Sequence, residues 1–75
     1  MIGQILIFPY SFAPKGWALC NGQLMQIRLY PALFSLIGIN FGGDGKTTFA
    51  LPDYQNIAPK GSNYYIALTG PFPQQ

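Results

Sequence analysis

The sequence is poor in the side chains that carry most enzyme chemistry. It has no histidine, its only acidic residues are Asp44 and Asp53, and its one cysteine is Cys20. Without histidine or glutamate, neither a Ser-His-Asp nor a Cys-His arrangement can form. Two carboxylates are also few for a calcium site. We therefore predict that the chain is not an enzyme and has neither a metal nor a cofactor.

Charge is equally scarce. Only 8% of the residues are charged and 49% are hydrophobic, whereas about 25% of an ordinary domain is charged. The four cations, Lys15, Arg28, Lys46 and Lys60, are scattered, which argues against nucleic-acid binding. A chain of 75 residues buries only roughly 60% of its unfolded surface. One cysteine cannot make an internal disulfide, so partner subunits remain as the means of stabilising it.

Long apolar runs are absent as well. No segment reaches the roughly 20 residues of a membrane span, so we expect no membrane insertion. Residues 1–12 are apolar but lack a basic n-region and are interrupted by Pro9 and Tyr10. We therefore expect no signal peptide. The protein is expected to be made in a bacterial cytoplasm and to leave by lysis or within an assembled particle.

The pattern of residues predicts a single domain, residues 1–75, of the α+β class. We expect a small, mostly β domain with one short helix packed on a sheet. Asn21-Gly22 predicts a hairpin between the second and third strands. Pro31 and Gly38 suit the first turn and the end of the helix. Strands are predicted at residues 2–8, 17–20, 23–27, 47–51 and 64–69, followed by an extended end at 70–73.

A core and a strand pairing follow from these elements. The first and last strands, both apolar, are expected to pair and to bring the termini together. The predicted core residues are Trp17, Leu33, Phe34, Ile37, Phe49 and Leu51.

Residues 40–48, NFGGDGKTT, are one residue away from the phosphate-binding pattern G-x-x-x-x-G-K-[ST]. Asn40 replaces the first glycine, and the predicted helix precedes the loop instead of following it. Asp44 would also place a negative charge in the phosphate cradle. We therefore interpret the loop as a tight turn in which Asp44 bonds backbone amides. Its glycines, which supply positive φ angles, are Gly42, Gly43 and Gly45.

Asp44 and Asp53 could alternatively form a glycosidase-like carboxylate pair. They flank one predicted strand, and Asp53 follows Pro52 in a predicted turn. Local hydrogen bonds within each loop account for both residues, so we interpret Asp53 as structural too. Whether Asp44 binds a cation stays open.

Aromatic residues make up 16% of the chain. Exposed aromatic rings can contact a sugar or a partner protein. In the alternative, each tyrosine lies at a core edge with its hydroxyl group in water, and the residues alone leave both readings open. The candidate surface contacts are Tyr10, Tyr30, Tyr54, Tyr64 and Tyr65.

The run GWALCNGQL, residues 16–24, resembles the opening of the phage tail collar domain, and in particular the group called microcystin-dependent proteins. Residues 32–38, ALFSLIG, are similar to that family's helix. Residues 41–53, with FGGDG and TTFALPD, are similar to its loop and strand, and NYYIAL at 63–68 to its last strand. Tyr54-Gln55-Asn56 departs from the usual LPDLRGR-like continuation, and the long variable segment is missing. The chain therefore resembles a minimal collar domain without a receptor-binding head.

The resemblance implies a structural, self-associating subunit of a phage tail fibre or a tail-like appendage or filament, with no catalysis. Such domains usually form homotrimers and contact other tail or appendage proteins. Because the variable segment is missing, an open polymer built from heterologous contacts is the alternative. The expected location is a virion tail or an extracellular tail-like particle. A second reading is an adhesin-type module that binds a cell-surface glycan or receptor through exposed aromatic residues.

Overall fold

A computed structural model describes residues 1–71 of the chain. It contains a three-stranded antiparallel sheet, a two-stranded antiparallel sheet and one helix, which confirms the α+β class. Of the extended end predicted at residues 70–73, Phe72 and Pro73 lie outside the described residues. The elements are β1 (Ile5–Phe8), β2 (Trp17–Leu19), β3 (Leu24–Gln26), α1 (Pro31–Ile37), β4 (Thr48–Ala50) and β5 (Asn63–Ala67).

The last strand lies at the centre of the larger sheet, whose order is β1-β5-β2. Ile66 of β5 is paired with Ile5 of β1 on one side and with Ala18 of β2 on the other. The expected pairing of the first and last strands is thus confirmed. Close to it, the N–H of Ile2 donates a hydrogen bond to the carbonyl of Pro71 (3.2 Å), so both ends of the described chain meet at one side of the sheet.

The predicted hairpin at Asn21-Gly22 is wrong, because β2 pairs with β5 while β3 pairs with β4. Cys20 is the link between the two sheets. Its N–H donates to the carbonyl of Tyr64 (2.9 Å), and its own carbonyl accepts from the N–H of Tyr54 (2.9 Å). The side chain of Asn21 then accepts from the N–H of Gln23 (3.1 Å). This local turn sends the chain across to the second sheet instead of back along β2.

The helix begins and ends where its flanking residues require. Pro31 occupies the first turn, where a missing N–H costs nothing. Gly38 has a φ of 56° and its N–H bonds the carbonyl of Phe34 (2.8 Å), so the helix stops there. At seven residues, α1 is far too short for a membrane span, and the described part of the chain has no other helix that could make one.

The core lies between the larger sheet, α1 and β4. Of the residues predicted to form it, Leu33, Phe49 and Leu51 are fully buried. Phe34 and Ile37 are partly buried and pack against the core. Trp17 was wrongly predicted to be a core residue. Side chains alternate along β2, so Trp17 points to the opposite face from its core-facing neighbour. The buried cluster consists of Ile2, Ala18, Cys20, Met25, Leu33, Phe49, Leu51 and Ile66.

Candidate functional site

The loop between α1 and β4 is organised around the carboxylate of Asp44. Its Oδ1 accepts hydrogen bonds from the backbone N–H groups of Lys46 (2.8 Å), Thr47 (2.8 Å) and Thr48 (2.9 Å). Its Oδ2 accepts the hydroxyl of Thr47 (3.0 Å). These donors, led by the amide of Thr48, hold the pKa of Asp44 well below its ordinary value because they stabilise the charged form.

This geometry explains why the loop is unsuited to phosphate binding. A phosphate loop must offer free backbone N–H groups at the start of a helix. Here the amides of residues 46–48 already bind the Asp44 carboxylate, and the loop leads into a strand. The loop therefore supplies its own anion.

Gly43 brings the loop into direct contact with β4. Its φ is 98°, and a Cβ placed on it would lie 2.4 Å from the Cα of Phe49 and 2.7 Å from the carbonyl oxygen of Thr48. Next to it, the carbonyl of Gly42 accepts a hydrogen bond from the N–H of Ala50 (3.0 Å). The loop thus lies along the free side of β4, and only glycine fits at position 43.

Asp53 belongs to a different loop. It follows β4, whereas Asp44 precedes it, and its Oδ1 accepts the N–H of Gln55 (3.3 Å). Its backbone pairs with Asn21 at the crossover between the sheets. Each of the two carboxylates therefore accepts hydrogen bonds within its own turn. Over residues 1–71, no group of three or more His, Cys, Asp or Glu side chains is placed to hold a metal ion.

The structure separates the five candidate tyrosines. Tyr10 is exposed, and Tyr30, Tyr54 and Tyr64 are partly buried against the core. The predicted exposure of Tyr65 is wrong, since this side chain is only 1% exposed. Tyr65 lies on the central strand, so neighbours on both sides cover it, and its hydroxyl donates to the carbonyl of Tyr10 (2.7 Å).

The face of the larger sheet that points away from the core carries a chain of aromatic rings, here called the aromatic face. Phe8 is at its centre, with ring centroids 5.3 Å from Trp17, 5.7 Å from Tyr10 and 5.8 Å from Tyr65. Tyr10 stacks on Phe12 at 5.5 Å, and Phe12 is 67% exposed. The aromatic face consists of Phe8, Tyr10, Phe12, Trp17 and Tyr65.

Sequence reasoning missed this face, although a signal was present. In residues 6–12, LIFPYSF, every second residue is large and apolar, which is the period of one face of an extended chain. The turn after β1 is fixed in place, because the carbonyl of Tyr10 also accepts the side-chain amide of Asn63 (3.0 Å). Beside that turn is a shallow cleft of about 370 Å³ lined by Pro9, Tyr10, Ser11, Gly61, Ser62 and Asn63.

The fold and this surface define a small β-rich module that presents an aromatic sheet face. A family model described as Phage Tail Collar Domain matches residues 3–59, and the chain belongs to the phage tail collar domain family. The resemblance seen in the sequence is thereby confirmed. This is a structural family of phage tails.

A curated relative is Protein RhiB from Rhizobium leguminosarum bv. viciae. It is 32% identical over 57 residues, which cover 71% of this chain and 26% of RhiB. The chain therefore spans about a quarter of the length of this relative.

Proposed function

We propose that this chain is a structural, self-associating subunit of a phage tail fibre or tail-like appendage and that it works through repeated subunit contacts without catalysis. The observation that carries the proposal is its exposed apolar surface. Eleven large hydrophobic side chains are exposed among residues 1–71. They include Phe12, which belongs to the aromatic face, and Leu6, which lies beside it. With 8% charged residues, a free subunit has little to oppose association.

The assembly is either a closed homotrimer or an open polymer, and it contacts other tail or appendage proteins. Its place is a virion tail or an extracellular tail-like particle. Membership of the collar family supports this location. The scattered cations give no basic patch for nucleic acid, so the contacts proposed are between proteins.

The mass of the purified protein in solution tests self-association directly. Size-exclusion chromatography with light scattering, repeated over a hundredfold range of concentration, should give a mass above the 8.3 kDa of one chain. A single species of three subunits would identify the closed trimer, and a large, polydisperse mass would identify the open polymer. A mass of one chain at every concentration would refute the proposal.

A second candidate function is an adhesin-type module that binds a cell-surface glycan. The cleft beside Tyr10 favours it, because an exposed aromatic ring there adjoins the polar side chains of Ser11, Ser62 and Asn63. A glycan array probed with the native chain and with Tyr10→Ala tests this function. Retention that Tyr10→Ala abolishes and Ile57→Ala preserves would support it, and no retention would exclude it.

A further inference from the structure

The first strand has an outer edge with unpaired backbone groups. Hydrogen bonds alternate along an antiparallel pair, and the N–H of Ala67 donates to the carbonyl of Gln4 (2.9 Å). With the observed register, the residues that bond β5 from this side are therefore Gln4, which directly precedes β1, and Leu6 and Phe8 within β1. The N–H and C=O groups of Ile5 and Ile7 point away from the sheet, and within residues 1–71 no backbone hydrogen bond reaches them from that side.

The opposite edge of the sheet is protected. In β2, the N–H of Trp17 bonds the carbonyl of Pro14 (3.0 Å). The carbonyl of Leu19 accepts from the N–H of Asn21 (3.0 Å) and from the side chain of Gln23 (2.9 Å). Proteins usually guard an open edge with charge, proline or a bulge. Residues 5–8, ILIF, carry neither charge nor proline, so β1 is the open edge.

We propose that β1 pairs antiparallel with β1 of a second copy of this chain, about a two-fold axis that passes beside Leu6. This contact rests on the proposed self-association and names its surface. Only Ile5 and Ile7 offer outward backbone groups, so Ile5 of one copy pairs with Ile7 of the partner subunit and the reverse. Each such pair makes two hydrogen bonds. The two three-stranded sheets become one continuous sheet.

The chemistry of the strand favours a second copy over another kind of partner. An extended strand is required to satisfy the outward N–H and C=O groups, and the uncharged side chains of β1 give nothing for a charged segment to complement. Two-fold pairing sets Leu6, which is 39% exposed, directly opposite Leu6 of the partner subunit. The two aromatic faces then lie side by side on one sheet, so their exposed rings extend the apolar contact.

The two-fold axis has a consequence for the assembly. An isologous contact joins copies in pairs, so an isolated closed trimer cannot satisfy all its β1 edges in this way. The contact therefore favours the open polymer, in which a second contact elsewhere on the surface joins the pairs to one another.

Opposite charges at position 6 test the contact and its register. In Leu6→Lys the two lysines face each other, and in Leu6→Glu the two glutamates do, so each variant alone should show at least a two-fold lower mass by light scattering at equal concentration. An equimolar mixture should regain the native mass because lysine then faces glutamate. Leu24→Lys, the same substitution at an exposed position of β3, should leave the mass unchanged.

A cross-link provides a second test that needs no charge in the sheet. Residues opposite each other in a non-hydrogen-bonded pair have Cα atoms about 4.5 Å apart, within the range for a disulfide. Leu6→Cys should form a disulfide-linked dimer on oxidation, whereas Leu24→Cys should not, and the native thiol of Cys20 is buried. Circular dichroism checks that each variant is folded.

The outcomes separate this proposal from the broader one. If the native protein is monomeric at every concentration, self-association and this contact both fail. If the native protein associates but Leu6→Lys keeps its mass and Leu6→Cys does not cross-link, only the β1 contact is refuted.

Discussion

Replacing Gly43 by alanine tests whether the Asp44 loop depends on close backbone approach to β4. The added Cβ would lie 2.4 Å from the Cα of Phe49 and 2.7 Å from the carbonyl oxygen of Thr48. These are backbone atoms that cannot rotate away, so β4 has to move. The movement would break the bond from Ala50 to Gly42 and disturb the fully buried ring of Phe49.

The size of the effect has two parts. A side chain at the φ of 98° found at Gly43 costs about 1–2 kcal/mol in the left-handed region, and overpacking adds about 1–3 kcal/mol. The total of about 2–5 kcal/mol is a large share of the roughly 4–11 kcal/mol that a chain of this length has in all. Gly61→Ala is the matched control, because its φ is 84° but no atom beyond the adjoining residues lies within 4 Å of the added Cβ. Gly61→Ala should therefore lose only the cost of the left-handed backbone conformation, about 1–2 kcal/mol of the free energy of unfolding.

Urea unfolding followed by circular dichroism measures both variants. The protein concentration must be low and equal in all samples, because association raises the apparent stability of the folded state. Gly43→Ala should lose about 1–3 kcal/mol more free energy of unfolding than Gly61→Ala. Equal losses in the two variants would refute the proposed close contact between the loop and β4.

Three further predictions concern the core and the two shifted pKa values. Leu33→Ala should lower the free energy of unfolding by about 2–5 kcal/mol in the same urea experiment, since Leu33 is completely buried. Burial raises the pKa of the Cys20 thiol from 9.0 to about 11. Because the unfolded chain loses this proton first, the free energy of unfolding should fall as the pH rises from 9 to 11. Cys20→Ala should reduce this dependence of the free energy of unfolding on pH. In the folded chain the pKa of Asp44 is lowered from its ordinary value of 3.8. The stability that this gives is present above pH 3.8 and is lost as the pH falls through the folded pKa. Below pH 4, the free energy of unfolding of Asp44→Asn should therefore depend less on pH than that of the native chain.

The elements set by local chemistry could be predicted from the sequence. Pro31 and Gly38 located the helix to within a residue of its observed ends, since both act through the backbone of their own turn. The chemistry of Asp44 is also local, and its carboxylate binds three amides within four residues. The pairing of β1 with β5 followed from their matching apolar character.

The errors arose where distant neighbours decide the outcome. Asn21-Gly22 favours a hairpin by itself, but β2 and β3 find better partners in β5 and β4. Tyr65 looks like a surface tyrosine until β1 and β2 flank it. The aromatic face was missed for the same reason. Its alternating residues lie within one segment, but Trp17 and Tyr65 join them only through the sheet.

The central strand β5 presents side chains to both faces of the larger sheet. Ile66 points into the core and Tyr65 towards the aromatic face. Within residues 1–71 the core cluster contains eight buried residues, and a partner that binds only the folded state stabilises that state. Copies joined along β1 would therefore stabilise one another, and the low charge that leaves a lone subunit prone to association would favour the assembled state.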